Sequence, residues 1–259
     1  MNKLALGIQI YTVRDDFKNN PLETLKRLSA LGYEAVELTT MVADWDPLQL
    51  KEWFDEAGLR CCGMTTGWSY VLPDKIDSWI EFNKRLGNDR FVVGSAPLAD
   101  LRERDALKNV IKILNEVYEK AKANGFATGY HAHSTDFFMV DGVSSWDRIM
   151  QNTPDDFSMV IDTGNMLSAG ADPIHYINKY PGRSPLVHLK PFDAKGATGA
   201  TMIGEDSFDW NILIDTCINT GSAHTLIVEY SNTRRFDPWT ASEMCYDKIT
   251  KILKDKKYI

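Results

Sequence analysis

Eight short apolar runs, rich in β-branched residues, recur along this chain about every 31 residues, the length of one βα unit. The runs cover residues 4–12, 33–38, 59–66, 90–94, 126–133, 157–162, 185–190 and 224–230. Longer amphipathic segments separate them. Pro21 begins one, with Leu25, Leu28 and Leu31 on a single face before Gly32 ends it. Another spans residues 105–124, where Leu107, Val110, Leu114, Val117 and Ala121 line one face and Asn124-Gly125 supplies the stop. Further helices are expected after Pro47, Pro73, Ser144, Pro173, Asp209 and Pro238. Eight βα units in 259 residues predict an α/β chain, a single (β/α)8 barrel over residues 1–259. The rival is a doubly wound open sheet. It loses its usual nucleotide-binding forms, because neither G-x-G-x-x-G nor G-x-x-x-x-G-K-[ST] follows the first run.

Composition narrows the partners. With 29 basic and 36 acidic residues the net charge is −7, which argues against a nucleic-acid surface or an anionic membrane, since both need clustered Lys and Arg. No run approaches the ~20 apolar residues of a membrane span, and the apolar run at residues 4–8 is too short for a signal peptide. Cys61, Cys62, Cys217 and Cys245 form no C-x-x-C pair and read as reduced, buried thiols. The expected setting is cytoplasmic, with no nucleic acid and no membrane, and a homo-oligomer is left open.

In a barrel the active site lies where the strands end. The fifth run ends Tyr130-His131-Ala132-His133, the sixth Asp162-Thr163-Gly164-Asn165, the seventh His188-Leu189-Lys190 and the eighth Glu229. Singly, each has an ordinary alternative: a helix-capping Asp, a hydrogen-bonded core His, a Glu in an ion pair. Together, four consecutive strands each deliver a ligand-type residue to one rim. A mixed nitrogen–oxygen set of this kind suits Mn²⁺, Co²⁺, Zn²⁺ or Fe²⁺ better than Ca²⁺.

At this point the sequence resembles the xylose isomerase-like barrel superfamily, in its sugar phosphate isomerase/epimerase branch. The resemblance rests on Leu6-Gly7-Ile8-Gln9-Ile10-Tyr11-Thr12-Val13-Arg14, Val36-Glu37-Leu38, Tyr130 to His133, Asp162-Thr163-Gly164, Ala169 to Pro173, Gly182-Arg183 and Val187 to Lys190. It implies one divalent metal at the barrel mouth, Mn²⁺ first, with Co²⁺, Zn²⁺ or Mg²⁺ as alternatives. By position Asp162, His188 and Glu229 match ligand sites. The fourth ligand lies among His131, His133 and Asp136. His133, nearer the strand end, is preferred, which leaves His131 as an acid/base group and Asp136 as a substrate-binding one. Pro191 departs from the family, which usually carries Asp there; Asp193 is the nearest replacement.

The chemistry so implied is proton abstraction beside a metal-bound carbonyl. His131, Glu229 and Lys190 are the expected catalytic residues, and Glu37, Asp136 and Gln9 the substrate-binding ones, with Tyr11 beside Gln9. Arg183 is expected to cap a helix or pair at the surface. Trp68, Trp210 and Trp239 are expected to pack in the core rather than stack on a sugar. The function expected first is a metal-dependent isomerase or epimerase of a small carbohydrate. A lyase on a related keto-sugar, by inosose-type dehydration or 3-keto-glycoside β-elimination, is the alternative. A non-catalytic carbohydrate-binding barrel would not need this ligand set. A DNA-repair endonuclease of the superfamily fits poorly with the −7 charge and five histidines.

Overall fold

A parallel strand covered on both faces must be apolar nearly throughout, because neither face meets water. The apolar runs obey this rule. In the computed structural model, which describes residues 4–192, 201–206, 208–232 and 234–259, they become eight strands. These are β1 (Ala5–Gln9), β2 (Ala35–Thr39), β3 (Arg60–Gly67), β4 (Arg90–Ser95), β5 (Ala127–His131), β6 (Ser158–Asp162), β7 (Leu186–Leu189) and β8 (Thr225–Val228). All pair in parallel with their chain neighbours, and β8 closes onto β1, so the expected (β/α)8 barrel is the fold. Among the described residues no helix is long and apolar enough to cross a membrane.

Several strands stop sooner than the apolar pattern does, each for a local reason. Gln9 Oε1 accepts the Tyr11 N–H at 3.1 Å, and Ile10–Val13 turn into a 3-10 helix instead of prolonging β1. β5 ends at His131, and His133 becomes the cap of the 3-10 turn Ser134–Phe137. The helices lie close to expectation: Pro21–Leu31, closed by Gly32 at φ 105°, and Arg104–Ala123. Periodicity missed the short helices Arg14–Asn19 and Thr163–Ser168, and a two-stranded hairpin pairing Met139–Val140 with Val143–Ser144. Elements of two to six residues carry too few side chains to show a period.

The interior of the barrel is built in steps of two residues. Ala35, Cys62, Val92, Val160, Leu186 and Ile227, one from each of six strands, form an apolar cluster separate from the core between strands and helices. Side chains alternate along a strand, so the next inward position on β2, β6, β7 and β8 brings Glu37, Asp162, His188 and Glu229 onto this plug. The same step from Gly7 and Gly129 brings Gln9 and His131. Nearer the base, Arg183 is buried, not at the surface. Its guanidinium donates to the Met150 and Phe157 carbonyls and to Thr153 Oγ1 at 2.6–3.2 Å, tying the segment before β6 to the one before β7.

The approach of β5 to β6 is close enough to demand glycine. A Cβ on Gly129 would sit 2.2 Å from the Ser158 carbonyl oxygen and 2.6 Å from Ser158 Cβ. Gly129→Ala is therefore expected to lower the unfolding free energy by about 2–3 kcal/mol, read from urea denaturation. An unchanged midpoint would show that the two strands separate without cost.

Candidate metal centre and active site

Asp162 ends β6 and starts the next helix, because its Oδ1 accepts the Asn165 N–H at 2.8 Å. The two residues after it serve Lys190. Thr163 Oγ1 binds both the N–H and the C=O of Lys190 at 2.8 Å, and Gly164 leaves room for the lysine stem, since a Cβ there would lie 2.7 Å from Lys190 Cγ. Asp162 and His188 are paired in register on β6 and β7. Glu229 follows directly on β8, its N–H donating to the Leu189 carbonyl at 3.2 Å.

These elements bring His131, Asp162, His188 and Glu229 together, with one donor atom from each within 4.8 Å of all the others. His131 Nε2 lies 3.0 Å from His188 Nδ1 and 3.6 Å from Asp162 Oδ2; His188 Nδ1 lies 2.9 Å from Glu229 Oε2. Asp162 Oδ2 is buried with no hydrogen-bond partner among the described residues. A buried carboxylate oxygen without a hydrogen bond is costly, and a cation held between two imidazoles and two carboxylates would satisfy it more closely than Lys190, 3.7 Å away. The donor set therefore fits a first-row divalent metal.

One of the four differs from expectation. His131, not His133, shares this volume. His133 lies past the end of β5, its Nδ1 3.4 Å from His131 Nδ1 on the side away from His188. Strand alternation places both imidazoles on one face, and only the point where β5 stops decides between them. Lys190, expected as an acid or substrate-binding group, lies among the same carboxylates: its Nζ donates to Glu229 Oε1 at 2.8 Å and sits 3.7 Å from Asp162 Oδ2. Asn165, unassigned by the sequence, joins Lys190 Nζ to the Ala132 carbonyl.

The expected substrate-binding residues are placed less openly. Asp136 is fully buried and accepts from Tyr130 Oη at 2.8 Å and from the His133 N–H at 2.6 Å, so it braces the turn after β5. Glu37 is fully buried too; Gln9 Nε2 at 2.5 Å and Thr65 Oγ1 at 3.0 Å donate to its Oε2. The same oxygen lies 2.8 Å from His188 Nε2, outside hydrogen-bond alignment. Gln9 does face the cavity above the cluster, a space of about 470 Å³ that Tyr11, Arg14, His133, Lys190 and Ser231 also line. A smaller cavity of about 180 Å³ shares Asn165, Lys190 and Glu229 and runs over Phe192 and Tyr230. Trp210 is buried, and Trp239 lies under the Arg27 guanidinium with its Nε1–H on Asp16, outside both cavities. Asp193 lies outside the described residues.

The charges explain one another. Burial opposes ionisation of Asp162 and Glu229, yet the Lys190 ammonium holds both carboxyls below the usual range, with His188 assisting at Glu229. Burial likewise works against His188, but Glu37 and Glu229 bring it up to about 10. His133 has no such carboxylate against its ring; burial and the neighbouring His131 lower it to about 4, and it is neutral at neutral pH.

The family model described as xylose isomerase-like TIM barrel matches residues 25–256. Among curated proteins, the inosose dehydratase of Geobacillus kaustophilus is 23% identical over 190 residues, 65% of this chain and 61% of that protein. The match thus spans less than two thirds of that relative. Among solved structures, a sugar phosphate isomerase/epimerase from Parabacteroides distasonis superposes with a TM-score of 0.77 at 19% identity, over 96% of this chain and 94% of the other. An L-ribulose 3-epimerase gives 0.71 at 17% identity, over 98% and 96%. At these identities the superpositions show a shared fold.

The brace at Asp136 has a pH signature. Burial pushes its carboxyl up to about 6 from 3.8. Between those values the folded chain keeps a proton that the unfolded chain releases, so the contribution is complete below about pH 4 and is lost as pH rises to about 6. Relative to Asp136→Asn, the wild type should lose about 1–3 kcal/mol of unfolding free energy across that window, measured by denaturation at a series of pH values. A flat difference would mean that the carboxyl titrates alike in both states.

Proposed function

We propose, for a chain that belongs to the xylose isomerase-like TIM-barrel family, that it is a divalent-metal-dependent enzyme enolising a small carbohydrate, an isomerase or epimerase in the first reading. The observation that carries this is the convergence of His131, Asp162, His188 and Glu229 beneath a polar cavity. Those four residues would hold the metal, Mn²⁺ being the first choice and Co²⁺, Zn²⁺ or Mg²⁺ the alternatives. Bound there, the ion would supply Lewis acidity, polarising a carbonyl so that the adjoining C–H becomes acidic.

The remaining chemistry belongs to side chains. His133 lines the cavity as a neutral imidazole whose free nitrogen can relay a proton leaving carbon, but burial and His131 lower it to about 4 and make it a weak base on its own. Glu229 is a poor base, because Lys190 and His188 hold it strongly ionised; its part is to bind. Lys190 stays cationic, raised by Asp162 and Glu229 against its burial. Its Nζ can give a hydrogen bond to a substrate oxygen and steady the charge that gathers there once the proton has left. Returning the proton to a carbon of the same skeleton completes an isomerisation or an epimerisation. A small carbohydrate suits the hydrogen-bonding lining, and the isomerase/epimerase and L-ribulose 3-epimerase among the similar structures support that class.

A second reading is a lyase. The two sides of the cavity are unequal, with the ammonium of Lys190 beside Glu229 on one and the imidazoles of His131 and His133 on the other. An unequal pair favours removal of a proton by one group and assistance to a leaving oxygen by another, and the inosose dehydratase relative points the same way.

Mass spectrometry of ketoses, their phosphates, inososes and 3-keto-glycosides incubated in D₂O with Mn²⁺-loaded protein separates these readings. Deuterium entering an otherwise intact sugar is the expected result; loss of water or of an aglycone would replace it with the lyase. Asp162→Ala should weaken Mn²⁺ binding at least about 100-fold and abolish either reaction. Wild-type Mn²⁺ affinity in that variant would remove the metal site itself.

A further inference from the structure

Glu37 stands behind the cavity wall. It is fully buried, yet its Oε2 meets Gln9, Thr65 and His188, three residues that line the cavity. The imidazole of His188 separates it from the cluster. Nε2 faces Glu37 at 2.8 Å, a distance too short for an intervening water, while Nδ1 faces His131 and Glu229. The carboxyl is itself held in place: Gln9 Oε1 is fixed by the Tyr11 N–H, which turns the amide nitrogen of Gln9 onto Glu37, and Thr65 adds a second donor to the same oxygen. Gln9 and Glu37 are partners in register on β1 and β2, and Thr65 lies on the adjoining β3. Three neighbouring strands therefore join to present one carboxylate oxygen to the outer nitrogen of one histidine.

We propose that Glu37 is a positioning residue for the metal centre: its Oε2, 2.8 Å from His188 Nε2 and a small ring turn from alignment, accepts the Nε2–H as a hydrogen bond, fixes the ring orientation and leaves Nδ1 for a divalent ion. This rests on the metal reading above. It replaces the expectation that Glu37 grips a substrate hydroxyl, because the His188 ring and the side chains of Gln9 and Thr65 stand between its oxygens and the cavity. A metal-bound imidazole is held by the partner of its other nitrogen, and a carboxylate there also makes the ring a stronger donor. Neither Gln9 nor Thr65 reaches His188, so their contribution passes through Glu37.

Mn²⁺ titration calorimetry on the intact chain tests this, with Asp162→Ala as the ligand control and thermal melts of each metal-free variant. Glu37→Gln keeps the shape and an acceptor oxygen and should weaken Mn²⁺ about 10-fold; Glu37→Ala should weaken it about 100-fold. Thr65→Val, which frees one side of the carboxyl, should cost about threefold. A second readout is the His188 Nε2–H in Zn²⁺-loaded, ¹⁵N-histidine-labelled protein. It should exchange slowly in the wild type and faster in Glu37→Gln, which a general loss of stability in the metal-free chain would not produce. Wild-type Mn²⁺ affinity in folded Glu37→Gln, or a His188 bound through Nε2, overturns the proposal. A wild type that binds Mn²⁺ no better than Asp162→Ala overturns the metal reading instead, and the assignment of Glu37 falls with it.

Discussion

Charges that cannot reach water must neutralise one another, and the upper interior of this barrel is organised by that requirement. Asp162 and Glu229 are buried on an apolar plug, with Lys190 and His188 set against them. Removing Lys190 would leave Asp162 without the cation nearest it, and breaking a comparable buried pair costs about 3–5 kcal/mol. The surrounding sequence serves to hold the four in place. Thr163 fixes the Lys190 backbone, Gly164 clears its stem, and Asn165 ties its ammonium to the end of β5. The Asp-Thr-Gly-Asn segment thus positions a lysine twenty-five to twenty-eight residues away as much as it supplies Asp162 to the cluster.

The plug explains why these groups sit where they do. Below the cluster every inward residue of the central layer is apolar or small; two residues further along β1, β2, β5, β6, β7 and β8 the side chains ionise or hydrogen bond. One pleat of β-structure separates a layer that excludes water from one that needs polar partners. Rigid strands hold most of the clustered side chains, while Tyr11, Arg14 and Ser231, which line the cavity above them, come from segments beyond the strand ends.

What could be read from the sequence follows the same division. The barrel and its eight strands were legible because burial on both faces leaves long apolar runs, and Asp162, His188 and Glu229 were legible because each interrupts such a run at its end. The choice between His131 and His133 was not, since both lie on the same face and the decision rests on a capping turn closed by Asp136. Asp136 itself looked like a pocket residue; only the positions of Tyr130 Oη and the His133 N–H reveal it as a brace. The fixed environment of Glu37 depends on partners 28 positions away on either side, Gln9 and Thr65, and on a histidine most of the chain away. No local pattern encodes contacts that only barrel closure creates. Arg183 was legible in part: it caps a helix, as expected, by donating to the Met150 carbonyl in the last turn of Ser145–Gln151, but its burial and its bonds to the Phe157 carbonyl and Thr153 Oγ1 arise only from the folded packing.

The plug also makes the space above it a blind alley. With Ala35, Cys62, Val92, Val160, Leu186 and Ile227 filling the axis, nothing passes through the barrel from base to mouth. If the proposed reaction takes place at the bottom of the cavity, its product must leave by the doorway through which the next substrate arrives. Traffic is therefore single-file, and the side chains around the rim act on departure as much as on entry.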